Sequence, residues 1–137
     1  MSAKQKYRIL VVDDEADIGL VMKLGLEKEG FAVDVFNNPI DAKAQFKPGV
    51  YDLLLLDIRM PEINGFQLYR ELVKIDPRAK ICFITAFEIY YDEFRRVFPK
   101  LKVDCFVRKP VGIEKLARVI RRELDIKEEA DPSRPIA

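Results

Sequence analysis

The chain has 137 residues, 49% of them hydrophobic and 34% charged, with 24 Lys and Arg against 23 Asp and Glu. That length suits one domain with room for a proper core, and a net charge of +1 exerts no general pull toward nucleic acid or acidic lipid. The absence of histidine excludes His-based metal sites, Ser-His and Cys-His catalysis, and a phosphohistidine on this chain.

The N-terminal Met1 to Lys6 is polar and lacks the apolar stretch of a secretion signal. No apolar run approaches the ~20 residues of a membrane span, so a cytoplasmic protein without a membrane contact is expected. The first apolar run, Ile9 to Val12, ends in Asp13-Asp14. Short runs of this kind, bounded by turn signals, read as buried parallel strands. The acidic start Asp14-Glu15-Ala16-Asp17 favours a helix N-terminus through capping and the helix dipole. Ile18, Val21, Met22, Gly25 and Leu26 then share one helical face, and Gly30 is a stop signal.

Ala32 to Phe36 predicts a second strand, and Asn38-Pro39 reads as an N-cap followed by proline at the first helical position. The third run, Leu53 to Leu56, ends in Asp57. Phe66, Tyr69, Leu72 and Val73 mark a third helix, stopped before Pro77. Ile81 to Ile84 forms the fourth run and ends in Thr85. Tyr90, Tyr91, Phe94, Val97 and Phe98 mark a fourth helix, ended by Pro99. Cys105 to Arg108 is the fifth run and ends in Lys109-Pro110. Ile113, Leu116, Ala117, Ile120 and Leu124 mark a fifth helix. Residues 7–124 are thus expected as the domain, and the polar, proline-bearing residues 125–137 as a flexible tail or the start of a linker. Cys82 and Cys105, both inside apolar runs, are expected as reduced core thiols.

Five strands alternating with five helices argue an α/β fold: a flavodoxin-like, doubly wound parallel sheet. Asp34 interrupts the second strand and Asp104 the fifth, whereas the other three strands are almost wholly apolar. Edge strands tolerate charge and central strands do not, which favours strand order 2-1-3-4-5. Right-handed crossovers then place the reversal of winding between the first and third strands, where ligands bind. Asp13, Asp14 and Asp57 fall at that point.

The strand ends therefore gather three carboxylates, the Thr85 hydroxyl and the Lys109 ammonium at one rim. Each alone has an ordinary explanation as a cap, a turn residue or an edge charge. Together, three carboxylates repel one another unless a cation sits among them, which points to phosphoryl chemistry with a divalent metal. No glycine-rich phosphate loop is present, so nucleotide binding has no support. A carboxylate attacks phosphorus competently to form an acyl phosphate, and Mg²⁺ suits a shallow rim offering few carboxylates.

Val11-Val12-Asp13-Asp14-Glu15, Leu56-Asp57-Ile58-Arg59-Met60-Pro61, Asn64-Gly65, Thr85-Ala86 and Lys109-Pro110, in that order, resemble the receiver domain of two-component response regulators over about Arg8 to Leu124. The resemblance implies that Asp57 accepts the phosphoryl group. It implies Mg²⁺ held by Asp14, Asp57 and the Arg59 carbonyl, with Asp13 acting through water. Thr85 and Lys109 would contact phosphoryl oxygens, and Phe106 would be the switch aromatic. A cis Lys109-Pro110 peptide belongs to the same pattern. The implied partners are a histidine kinase or phosphotransfer protein upstream and a protein or output domain downstream. A homodimer through the fourth helix, fifth strand and fifth helix is a further option. Such a chain is a phosphoacceptor signalling domain that catalyses its own phosphorylation, not an enzyme with a separate substrate.

The stretch Val97 to Val103 departs from the small, glycine-containing segment usual in that family. An aspartyl phosphatase would want a second aspartate two residues after the nucleophile, where Arg59 stands. The alternative is a phosphorylation-independent interaction module on a receiver fold. Direct DNA binding is disfavoured, because no helix-turn-helix follows Leu124. Lys115, Arg118, Arg121 and Arg122 are expected as a solvated basic face.

Overall fold

The computed structural model describes residues 6–86, 96 and 105–126. Their elements are β1 (Arg8–Val12), α1 (Ala16–Lys28), β2 (Ala32–Phe36), α2 (Pro39–Gln45), β3 (Leu53–Asp57), α3 (Gly65–Ile75), β4 (Lys80–Thr85), β5 (Phe106–Arg108) and α4 (Ile113–Glu123). The helix expected over Tyr90 to Phe98, and Asp104, lie outside the described residues. All strand pairs are parallel, in the expected order β2-β1-β3-β4-β5.

Strand alternation divides the core into two layers. Ile9, Val11, Leu53, Leu55, Cys82, Ile84 and Val107 meet Met22 and Leu26 of α1 and Leu116, Ala117 and Ile120 of α4. Leu10, Val12, Leu54, Leu56 and Phe83 meet Ala42 of α2 and Leu68, Tyr69 and Leu72 of α3. β3 is buried along its whole length, as a strand covered on both faces must be. Because every residue of β3 is apolar until Asp57, the first polar side chain emerges where the strand leaves the core.

The edge argument holds at β2. Asp34 there is satisfied by Arg8 at 3.2 Å and by the Tyr51 hydroxyl at 2.8 Å. Asn38 caps α2, accepting from the Ile40 and Asp41 amides, and Pro39 follows at the helix start. Asn64 and Gln67 form a reciprocal capping box on α3. Gly30 has φ +99° just after α1, a conformation that favours glycine.

Three expectations need correction. Val21 is 61% exposed, and α1 instead buries Gly19, Met22 and Leu26. Gly19 and Gly25 let the helix come close to Val35 and Ile113 on that face, which rotates Val21 outward. The acidic start of α1 supplies no side-chain cap at Glu15; the Asp13 carboxylate accepts from the Glu15 amide instead. Cys82 and Cys105 are joined as a disulfide, not held as separate thiols. Phe83 pairs with Phe106, so the preceding residues Cys82 and Cys105 are neighbours across β4 and β5, with Cα atoms 4.6 Å apart.

Arg121 is also more than a solvated charge. Its guanidinium donates to the Glu29 carbonyl at 2.8 Å and lies over the Phe31 ring, tying α4 to the end of α1. No helix among the described residues is long and apolar enough to cross a membrane.

Candidate functional site

β1 and β3 are neighbours in register, with Val12 beside Leu56, so their next residues Asp13 and Asp57 leave the sheet side by side. Both are buried, at 0% and 4% exposure. Asp57 Oδ1 accepts from the Arg59 amide at 3.3 Å, while the Arg59 side chain is exposed. The loop behind Asp57 is pinned twice: the Ile58 amide donates to Ile84 O at 3.0 Å, and the Gly65 amide donates to Ile58 O at 2.8 Å. A Cβ on Gly65 would collide with the Asp57 carbonyl oxygen and come within 3.0 Å of its carbon, so only glycine permits this approach.

Lys109 arrives from the far side of the sheet. Its amide donates to Thr85 O at 2.7 Å, extending the β4–β5 ladder by one step, and its peptide to Pro110 is cis, as the family resemblance implied. The Nζ then stands 2.7 Å from Asp13 Oδ2, 3.3 Å from Asp57 Oδ2 and 4.0 Å from Glu15 Oε1. Thr85 is buried at the end of β4, one residue past Ile84, the register partner of Asp57. Phe106 is partly buried on the α3 side, its ring centroid 5.5 Å from that of Phe83. Phe83 in turn meets the edges of Phe66 and Tyr69.

Burial pushes the Asp57 carboxyl up to about 6; Lys109 opposes the shift, and the Asp13 charge adds to it. Burial works against the Lys109 charge, but hydrogen bonds and attraction from Asp13 and Asp57 outweigh it and raise the ammonium pKa. The lysine is therefore held charged, and one charge is shared among several carboxylates.

Asp13, Asp14, Glu15 and Asp57 each offer a carboxylate oxygen, all within 4.8 Å of one another. An all-oxygen donor set is what a hard divalent cation such as Mg²⁺ prefers, and it suits neither thiolate nor imidazole metals. The structure thus unites Asp13, Asp14, Asp57 and Lys109 and places Thr85 and the Arg59 backbone at the same rim. Phe106 packs against the apolar layer on the α3 side. Glu15 is the residue that strand-end reasoning missed. It follows Asp14 directly, but its place in the cluster, with an exposed side chain, depends on the chain turning at Asp13, which alternation along β1 does not reveal.

Comparison with known proteins agrees with this arrangement. A family model described as the response regulator receiver domain matches residues 9–121. The transcriptional regulatory protein PcoR of Escherichia coli is 32% identical over 114 residues, covering 83% of this chain and 50% of that protein. This chain therefore spans about half of that relative. A CheY-like receiver domain structure from Methanospirillum hungatei superposes with TM-score 0.78 at 28% identity, covering 88% of this chain and 95% of that one. The response regulator TrrA of Thermotoga maritima, solved in complex with Mg²⁺ and BeF, has TM-score 0.71 at 34% identity, covering 85% of this chain and 97% of that one.

Proposed function

This chain belongs to the response regulator receiver domain family of two-component systems, and on that footing we propose that Asp57 accepts a phosphoryl group in a Mg²⁺-dependent reaction. The observation that carries the reading is Lys109 Nζ bridging Asp13 and Asp57 inside a cluster of four converging carboxylates.

Asp57 is the nucleophile, because it is the carboxylate at the end of the central strand whose other contacts fix its direction. Its backbone is held by Ile84 and Gly65. The Arg59 amide orients one carboxylate oxygen, and Lys109 contacts the other. Asp13, Asp14, Asp57 and the Arg59 carbonyl would hold Mg²⁺, with Glu15 at the margin of the same cluster. The ion, when bound, offsets carboxylate charge and the charge on phosphoryl oxygens. Lys109 and Thr85 receive the two remaining kinds of contact, an ion pair and a hydroxyl hydrogen bond. Transfer to a well-held carboxylate needs positioning and charge neutralisation more than proton chemistry.

The donor is a phosphohistidine on a kinase or phosphotransfer protein, as membership of the receiver family supports; with no histidine in this chain, that ring belongs to the partner. Leu20, Val21 and Leu24 lie exposed along α1, which starts directly after Glu15. An apolar stripe beside a charged rim suits docking of a helix that presents the phosphorylated ring. Such chemistry places the chain in the cytoplasm, with residues 7–124 as the working receiver unit. Output runs to a downstream protein, an attached domain or a second copy, through the face that includes β5 and α4. Phosphate on Asp57 draws Thr85 inward, and Phe106 repacks against Phe83.

The test is intact-mass measurement after incubation with Mg²⁺ and acetyl phosphate. Added phosphoryl mass on the native chain, absent from Asp57→Ala and abolished by a chelator, supports the reading. An unchanged phosphorylated peak in Asp57→Ala removes it. No added mass in the native chain, with Mg²⁺ shown to be without effect on the fold, would favour the phosphorylation-independent module.

A further inference from the structure

The bond between Cys82 and Cys105 is not used by the phosphoryl chemistry, yet it joins the two strands that deliver Thr85 and Lys109. β5 is three residues long and, among the described residues, lies at the edge of the sheet and pairs with β4 alone. Cys105 immediately precedes it, and Lys109 immediately follows it. Backbone hydrogen bonds also tie its ends, Phe83 N to Cys105 O at 2.9 Å and Lys109 N to Thr85 O at 2.7 Å. A covalent link at the start of so short a strand restrains everything the strand carries, including the Phe106 ring and the Lys109 ammonium.

The pair is built to close. The two residues are register neighbours, both side chains point into the layer under α1 and α4, and the Cα separation of 4.6 Å is within the range that a disulfide spans. Disulfides in a glutathione-buffered cytoplasm are usually transient or redox-sensing, not permanent. We propose that Cys82 and Cys105 form a reversible dithiol–disulfide modification site whose closure clamps β5, and with it Lys109, onto β4. The choice of reversibility over a permanent staple rests on the cytoplasmic phosphotransfer reading given above.

Closure forms one S–S bond between the two sulfurs. Two electrons and two protons pass to a low-molecular-weight disulfide such as oxidised glutathione, which leaves as two thiols. An excess of the same thiol reverses the reaction through a mixed disulfide. Cys82 is 0% exposed and Cys105 4%, so exchange proceeds through local opening of the edge strand, not at the native surface.

The experiment equilibrates the 137-residue chain in glutathione buffers of graded oxidised-to-reduced ratio. Acid quenching, alkylation of free thiols and intact mass then count the bonded fraction. The bonded fraction is expected to follow the ratio reversibly from both starting states. Full alkylation at every ratio, or a bond that persists in every buffer, overturns the proposal. The two isolated forms are then compared by amide hydrogen exchange. Exchange at Phe106 to Lys109 is expected to be about tenfold faster in the dithiol form, since edge-strand opening is no longer restrained by the link. Equal rates there overturn the clamp. Both forms have the native sequence, so misfolding of a variant does not enter. Neither readout uses phosphorylation, and Asp57→Ala should titrate like the native chain, which separates failure here from failure of the phosphotransfer reading.

Discussion

Lys109 Nζ lies closer to Asp13, at 2.7 Å, than to Asp57, at 3.3 Å. The ammonium thus holds the Asp13 carboxylate more tightly than that of Asp57. Burial keeps the Asp57 carboxyl raised despite a lysine within hydrogen-bond reach.

Lys109→Met should therefore slow phosphorylation by acetyl phosphate by about 10²-fold, the usual size of losing one preorganised electrostatic contact. Lys109→Arg should not restore it, because a planar guanidinium does not replace a compact ammonium between two carboxylates. Stopped-flow or mass-based initial rates decide this; a rate within twofold of the native one would remove Lys109 from the transfer step.

Asp57 gives a pH signature in the absence of divalent metal. Its carboxyl is raised from 3.8 to about 6, so the folded state holds the proton more tightly than the unfolded chain. Between those two values the native state binds more protons, and stability falls as pH rises. Urea unfolding in a chelator should show this decline from pH 4 to 6 and a plateau above. Asp57→Ala should flatten it and be more stable at pH 7. Saturating Mg²⁺ should cancel much of the decline, since a bound cation favours the carboxylate.

Sheet order, strand bounds and the polar residues that gather at the rim were legible because this fold ties them to local signals. Buried parallel strands are apolar until they leave the core, so Asp57 and Thr85 stand out at the ends of β3 and β4. Asp34 marked an edge because a central strand could not have satisfied it. The facing of α1 was less legible. Val21 fits a helical stripe as well as Met22 does, and only the close approaches at Gly19 and Gly25 decide which way the helix turns. The disulfide was missed because it depends on the β4–β5 register, which no single run encodes. Glu15 was missed because its place in the cluster comes from a turn, not from periodicity.

Gly65 is the clearest steric case. Any Cβ there meets the carbonyl of Asp57, so Gly65→Ala must displace the backbone that aims the Asp57 carboxylate. The expected loss is about 1–3 kcal/mol in stability, as for other overpacked sites, with a drop in phosphorylation rate of roughly 10²-fold from misplacement of the reacting group. Gly30→Ala is the control: it strains a left-handed residue but meets nothing within 4 Å. It should cost about 1 kcal/mol and leave the rate unchanged at temperatures where the protein is folded. Equal effects of the two variants on rate would show that Gly65 does not position Asp57.

The opposite rim supplies the reverse pH slope. Asp76 is 5% exposed and accepts from the Gly49 and Arg78 amides, both at 2.9 Å. Those hydrogen bonds hold its carboxyl below the ordinary carboxylate value. Its stabilising contribution is therefore complete above the unfolded value of 3.8 and is lost as pH falls through the lower folded value. Asp76→Ala leaves two loop amides without their acceptor and should cost about 1–3 kcal/mol at pH 7. The cost should shrink in acid, where the native carboxyl is itself protonated. In the Asp57→Ala background the Asp57-linked decline between pH 4 and 6 disappears, so acid unfolding should report the Asp76 limb with less interference. A double variant retaining the full native loss of stability below pH 4 would show that another carboxylate carries that limb.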